Sequence, residues 1–267
     1  MMENISYWRK QNSDNPLFPD LIWSRPEQKS MAGKLLIVGG NKSNFRPPSE
    51  AYEHAIKTGI GIVHVLLPDA LKNTLGKLLP EAYFAPSTPS GSFSRKALAE
   101  LLVSAQWADG VLLAGGLGRN SETTILIEGF ARKYDGQLTF VGDAVDTLIG
   151  APESLLPRKN TTLILSFEQL QKCITALHSK KPLTSSMNLF RFIKILRDLS
   201  MNQLLADTVL IVEQFEQIHC VLKGQVISTQ VITSSIETAT KAAVWWLQNP
   251  SKSLESISSS LIHNPKV

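Results

Sequence analysis

Cysteine is nearly absent from this chain: two residues in 267, Cys173 and Cys220. They lie far apart in no metal-ligand spacing, which excludes a disulfide-stapled scaffold and leaves two buried thiols in a reducing compartment. Long apolar runs are absent too. No stretch approaches the ~18 apolar residues of a membrane span. Residues 1–10 carry Glu3, Arg9 and Lys10 in place of the apolar core of a secretory leader. The expectation is a cytoplasmic protein with no membrane partner. Charge of one sign is concentrated nowhere: 27 Lys and Arg against 23 Asp and Glu give a net +4. Scattered cations make no nucleic-acid-binding arm, so no nucleic-acid partner is expected. The histidines His54, His178, His219 and His263 form no ligand spacing with either cysteine, so no metal site is predicted. No internal repeat and no linker divides the chain.

What remains is an ordered globular composition, 43% hydrophobic and 19% charged, at a length that buries one substantial core. The most informative stretch is Val111-Leu112-Leu113-Ala114-Gly115-Gly116-Leu117-Gly118-Arg119-Asn120-Ser121-Glu122. An apolar run ends in three closely spaced glycines and meets Ser121, a natural helix N-cap: a strand, a tight loop and a helix start. Glycines let the backbone approach a ligand closely, and the N–H groups of a helix start suit a phosphate or other anion. The same grammar also serves a plain packing turn, and both readings stand at this point.

The rest of the chain alternates similarly. Residues 1–33, punctuated by Pro16, Pro19 and Pro26, read as an arm anchored by Trp8, Phe18 and Trp23. Residues 34–267 read as a single domain. Apolar strands are predicted at 34–39, 62–67, 109–113, 137–141, 161–165 and 208–212. Helices are predicted at 94–105, 121–134, 167–178, 185–199, 235–247 and 254–262, with a further one capped by Ser49 and stopped by Gly59. Asp69 is expected to cap a short helix after Pro68, and Lys223-Gly224 to turn a hairpin. Strands without in/out alternation, each followed by a helix, give a three-layer, doubly wound, mostly parallel α/β fold. Ligands are expected beyond the carboxyl ends of its strands, where Gly39-Gly40 and residues 115–118 both fall. Asn41, Lys42 and Asn44 follow the first of these and read as either ligand contacts or a polar surface loop. His64, inside an apolar strand, is expected in the core. Trp245 and Trp246, at a helix end, are expected to seal a core or an interface, which brings a homo-oligomer into view.

Several segments, in this order, resemble the ribokinase-like proteins of the NAD(P)HX dehydratase family, also called the YjeF C-terminal domain. Ile37-Val38-Gly39-Gly40 matches the family's first strand with its double glycine, and Lys57-Thr58-Gly59-Ile60-Gly61-Ile62-Val63-His64-Val65 its "R-x-G-a-G-l-v-x-v". Pro80-Glu81 matches its "P-E". Ala114-Gly115-Gly116-Leu117-Gly118-Arg119 matches "G-P-G-L-G-R" with Gly116 for proline, and Gly142-Asp143-Ala144-Val145-Asp146-Thr147-Leu148 echoes "D-A-D-a-L" one residue out of step. The similarity runs over residues 25–248 and is strongest between 34 and 148. It implies a ribokinase-like fold and an enzyme that removes water from hydrated NAD(P)H at the expense of ATP or ADP. Close structural relatives phosphorylate small alcohols such as hydroxyethylthiazole. The resemblance further implies nucleotide or substrate contacts from Gly39, Gly40, Asn41, Gly115, Gly116, Leu117, Gly118 and Arg119. Asp143 and Asp146 follow a strand and could orient a substrate or hold Mg2+; Asp143 equally suits a helix cap, and Arg119 a solvated helix start.

After residue 150 the pattern departs from the family's. Its "T-P-H-x-G-E" falls at Leu165-Ser166-Phe167-Glu168-Gln169, without histidine or glycine, and its "K-G" near Val212-Glu213-Gln214, with glutamate for lysine. Its "G-x-G-D-x-L-A-G" falls at Ser234-Ser235-Ile236-Glu237-Thr238-Ala239-Thr240-Lys241, which keeps one carboxylate and no glycine. Those glycines let consecutive N–H groups form an anion nest; Cβ atoms on Ser235 and Ile236 crowd a phosphate and disfavour positive φ. The family's aspartate is the general base. Glu237, the catalytic candidate here, is one methylene longer, and a ~1 Å displacement costs ~100-fold in rate. The expectation is a cleft for an adenine nucleotide (ATP or ADP) or an NAD(P)H-like dinucleotide with a degenerate catalytic end. Two alternatives stand beside it: an active dehydratase or small-molecule kinase using Glu237, and a non-catalytic scaffold or regulatory subunit.

Overall fold

Apolar runs become strands here because both of their faces are covered. The computed structural model describes residues 6–262 apart from 78, 179–182, 185 and 232. Its strands are β1 (Trp8–Gln11), β2 (Lys34–Gly39), β3 (Ile62–Pro68), β4 (Ala82–Ala85), β5 (Gly110–Gly115), β6 (Gln137–Phe140), β7 (Thr161–Leu165), β8 (Thr208–Gln214), β9 (Gln217–Leu222) and β10 (Gln225–Thr229). They form one ten-stranded sheet in the order β1-β10-β9-β8-β7-β6-β5-β2-β3-β4. Only β9 is antiparallel to its neighbours.

The helices are α1 (Pro19–Trp23), α2 (Arg46–Thr58), α3 (Lys72–Leu75), α4 (Leu98–Trp107), α5 (Ser121–Lys133), α6 (Asp143–Gly150), α7 (Pro152–Leu155), α8 (Phe167–Ala176), α9 (Leu189–Ser200), α10 (Ser235–Gln248) and α11 (Ser253–Ile262). On one face α2, α10 and α11 pack Ala51, Ala239 and Ile257 against Leu35, Ile37 and Val65. On the other, α4, α5, α6, α8 and α9 pack Leu101, Phe130 and Phe192, among others, against Leu36, Val38 and Leu113. This is the three-layer, doubly wound, mostly parallel architecture expected. Among the described residues no helix is long and apolar enough to cross a membrane. Both cysteines are buried and free, and burial pushes each thiol up to about 12.

Several local expectations are corrected. α2 starts at Arg46, not after Ser49, because Pro47 and Pro48 sit in its first turn, where no N–H is needed; Ser49 instead bonds back to the Phe45 carbonyl. Gly59 ends α2 as expected, with φ +83°. Asp69 caps nothing: its carboxylate accepts the Ser87 N–H at 3.1 Å. The cap of α5 is Asn120, one residue before Ser121. α9 is capped by Asn188, and Ser185 lies outside the described residues. The 223–224 hairpin turn is present, with φ positive at both residues as its tight two-residue geometry requires.

The first 33 residues hold a strand. β1 pairs in parallel with β10, Trp8 Nε1 donates to Ser228 Oγ at 2.7 Å, and Gln11 donates to Thr229 Oγ1 and the Ser258 carbonyl. Trp23 is not an anchor: it is 86% exposed, while Leu21 is buried in its place. His64 is half-buried on β3, one strand in from the sheet edge, stacked on Trp107 at 3.7 Å, not sealed in the core. Trp245 and Trp246 are both buried within the chain, so they offer no surface to a second copy.

Candidate functional site

Strands β2, β3 and β4 step outward to one edge, after which the chain returns to β5 beside β2 and proceeds the other way through β6, β7 and β8. That reversal opens a crevice at the carboxyl ends of β2 and β5, the usual ligand position in doubly wound sheets. Both glycine loops lie there. Gly39 is required by proximity, since a Cβ would come within 2.6 Å of the Gly115 carbonyl oxygen. Gly40 N–H donates to that same oxygen at 2.9 Å. Asn41 ties the loops together: its Oδ1 accepts the Ser43 and Asn44 N–H groups, and its Nδ2 donates to the Gly116 carbonyl at 2.6 Å. Lys42 and Asn44 are exposed beside it.

The 115–118 loop takes its shape from positive φ at Gly115, Gly116 and Gly118, with Leu117 buried beneath. Two of its donors already have an acceptor. Leu117 N–H and Gly118 N–H donate to the two carboxylate oxygens of Asp143, at 3.3 and 3.0 Å. Asp143 therefore does not cap its own helix; Gly142 holds that position without a side-chain bond. Asp146 faces α8, where Gln169 Nε2 is 3.2 Å from Oδ2 and Lys172 Nζ 3.5 Å from Oδ1. Arg119 is exposed and makes no hydrogen bond or ion pair among the described residues.

Two clefts flank this seam. One, of about 630 Å³, runs between Gly118-Arg119, the start of α5, Asp143, Asp146 and Lys172. The other, of about 510 Å³, lies across the carboxyl ends of β6, β7 and β8, under the starts of α8 and α10. Gln169 divides them: it lines the second cleft while bonding the Gly142 carbonyl and Asp146. The floor of the second cleft is apolar, with Ile164, Ile211 and Ile218 all buried. Glu213, Gln214, Phe215 and Glu216 form its outer wall. Phe215 and Glu216 make the two-residue β8–β9 turn with φ of 55° and 56°, a left-handed pair that side chains disfavour. Phe215 is held by the Phe192 ring at 5.5 Å. His219 Nε2–H donates to the Gln214 carbonyl at 3.1 Å and its Nδ1 lies 2.7 Å from Ser228 Oγ. Burial pushes this imidazole down to about 4.

The three segments that depart from the family pattern all meet this cleft. Ser166 and Gln169 close a reciprocal capping box at the start of α8. Glu213 stands on the wall at the end of β8. At the start of α10, Ser234 in extended conformation accepts the Glu237 N–H at 3.1 Å, an ordinary serine cap with no positive φ. Ser235 and Thr238 line the cleft. The Glu237 carboxylate pairs with Lys241 Nζ at 2.8 Å, one turn along α10, where Lys241 is buried.

The groups present meet only part of what the nucleoside triphosphate and Mg2+ implied by the resemblance would need. A polyphosphate needs free donors and cations. Here Leu117 and Gly118 N–H are bonded to Asp143, Gln169 N–H to Ser166 and Glu237 N–H to Ser234, which takes one or two donors from each element. A divalent cation needs open oxygen ligands, whereas both oxygens of Asp143 and of Asp146 face N–H donors. Among the described residues no group of three or more His, Cys, Asp and Glu is placed to hold a metal. Sequence reasoning brought the glycine loops, Asp143 and Asp146 to one seam, and placed Glu237 on the α10 start that borders the second cleft. It missed Gln169, Lys172, Lys241 and the 215–216 turn. The Ser-x-x-Gln and Glu-x-x-x-Lys spacings were visible signals for Gln169 and Lys241; nothing local announced the turn.

No protein-family model matches the chain. The bifunctional NAD(P)H-hydrate repair enzyme of Dictyoglomus turgidum is 27% identical over 127 residues, covering 46% of this chain and 25% of that protein. The chain thus matches about a quarter of the length of that curated relative. Among solved structures, a ribokinase-like superfamily protein from Enterococcus faecalis superposes with a TM-score of 0.73 at 16% identity, over 99% of this chain and 88% of that one. The ADP/ATP-dependent NAD(P)H-hydrate dehydratase from Bacillus subtilis, co-crystallised with ATP and Mg2+, gives 0.60 at 11% identity, over 93% and 87%. The fold is ribokinase-like, and the sequence is similar over part of its length to the NAD(P)H-hydrate repair enzymes, as the motifs implied.

Proposed function

We propose that this chain is a ligand-binding relative of the NAD(P)H-hydrate dehydratases that holds an adenine nucleotide or dinucleotide at the carboxyl edge of its sheet and does not turn it over. The start of α10 carries the reading. In the family pattern that turn supplies both the phosphate nest and the general base. Here a serine cap consumes the Glu237 N–H, and the one remaining carboxylate is bonded to the Lys241 ammonium. The Lys241 ammonium engages Glu237 Oε1, and Glu237 is not among the residues that line the second cleft. Glu213 in the place of lysine, and the plain capping box in the place of the histidine loop, point the same way.

The test is a thermal-shift series with AMP, ADP, ATP, NADH and NADPH, followed by turnover assays on hydrated NAD(P)H with ATP or ADP. The expected result is stabilisation by at least one nucleotide with no turnover. Robust dehydration that disappears in Glu237→Gln would establish the active enzyme instead. Stabilisation by none of them would leave the scaffold reading.

A further inference from the structure

We infer that the 510 Å³ cleft takes the uncharged heteroaromatic end of its ligand, a nucleoside, and discriminates against phosphates. This rests on the nucleotide-cleft reading above and adds the charge class that the cleft selects.

The size is that of an ordinary small-molecule site. Ile164, Ile211 and Ile218 make a dry floor, and Phe167 and Phe215 add two aromatic side chains, a lining suited to a flat apolar ring. Ser235 and Gln214 add neutral donors and acceptors of the kind that hydroxyls and ring nitrogens use. What the lining lacks is positive charge: among its described residues there is no Lys, Arg or His. Its two ionisable groups are Glu213 and Glu216, both exposed on the outer wall.

The two carboxylates are held at the mouth by the backbone beneath them. The 214–216 segment is fastened at both ends of its turn, by Phe215 against Phe192 and by His219 on the Gln214 carbonyl. Both helix starts over the cleft carry side-chain caps that take part of their donor capacity. A phosphate chain leaving the cleft toward the glycine loop would next meet Asp146 and Asp143. Of the two cations lining that first cleft, Lys172 already bridges Glu168 and Asp146, and Arg119 is exposed and unpaired among the described residues. Within the cleft every added phosphate thus brings negative charge toward Glu213 and Glu216 without gaining a cation.

The experiment is a binding series, by calorimetry, of adenosine, AMP, ADP and ATP without Mg2+, at low and at high ionic strength. Affinity should fall in that order, with adenosine about tenfold tighter than ATP at low ionic strength, and the gap should narrow as salt screens the exposed carboxylates. The charge-reversed Glu213→Lys/Glu216→Lys protein should invert the order, and Glu213→Gln/Glu216→Gln should flatten it. Both positions are exposed, so folding is checked simply by the melting curve. ATP binding as tightly as adenosine in the unmodified protein, or an order unmoved in the folded variants, overturns the inference and leaves the nucleotide cleft standing. Binding of none of the four sinks both.

Discussion

Replacing Glu237 by glutamine distinguishes a structural carboxylate from a catalytic one. The Lys241 side chain is 7% exposed and that of Glu237 26%, with 2.8 Å between ammonium and carboxylate. Both lie on α10, which packs against α2 and the sheet. Removing one partner of a fully buried pair costs about 3–5 kcal/mol, because the other charge is left without compensation. In Glu237→Gln the stranded charge is the deeply buried ammonium, softened by the amide oxygen that can still accept one bond; about 2–3 kcal/mol is the expected loss. In Lys241→Met the stranded charge is a carboxylate that water still reaches, and the methionine keeps most of the packing; about 1 kcal/mol is expected. The double variant should lie within about 1 kcal/mol of the original protein, since an apolar replacement of the whole pair is close to neutral. At roughly 2–4 °C per kcal/mol for a chain of this size, Glu237→Gln should melt about 4–12 °C lower and Lys241→Met about 2–4 °C lower. Differential scanning calorimetry and urea titration of the three variants measure this. An unchanged Glu237→Gln melting temperature, or a Lys241→Met loss exceeding it, would refute the structural assignment of the pair.

Three further outcomes are expected. His219 is held near 4 while an unfolded chain titrates near 6.5. As pH falls from 6.5 toward 4 the unfolded state binds a proton that the folded state refuses, so stability is full above 6.5 and declines by up to about 3 kcal/mol toward 4; His219→Gln should flatten that slope in urea titrations at stepped pH. At Gly116 a Cβ would sit 2.9 Å from the Asn44 carbonyl oxygen at φ +69°, so Gly116→Val should cost about 2–3 kcal/mol while leaving the fold, and any ligand-induced thermal shift should vanish; a retained shift would place the ligand elsewhere. Deleting residues 1–12 removes β1, with its Trp8–Ser228 and Gln11–Thr229 bonds, and opens the edge of β10. A lower melting temperature and larger species on size exclusion are expected, and unchanged curves would show that the strand adds nothing.

The order of strands and helices was legible because its signals are local. The apolar runs at 34–39, 111–115 and 161–165, the stop at Gly59 and the turn at Lys223-Gly224 each follow from a few adjacent residues and the backbone angles they allow. β1 was not legible: Trp8-Arg9-Lys10-Gln11 has no strand pattern, and it is a strand because β10 offers it an edge more than 200 residues away in sequence. The starts at 121, 167 and 235 fell where the sequence put them, while others moved by up to four residues because prolines, serines and asparagines at neighbouring positions compete for the same cap, and tertiary packing chooses among them.

The same division holds at the site. The chain by itself determined that its glycine loops end buried strands and that the α10 start lacks glycine, since both depend only on which residues bear a Cβ. Whether those loops keep free donors was decided by the fold alone. Asp143 reaches the Gly118 N–H across 25 residues of chain, Glu213 and Glu216 come to stand opposite the starts of α8 and α10, and no local pattern encodes either meeting. A hydrogen-bond donor is available to a ligand only if no acceptor elsewhere in the chain has been brought to it, and that is a property of three-dimensional proximity, not of sequence spacing.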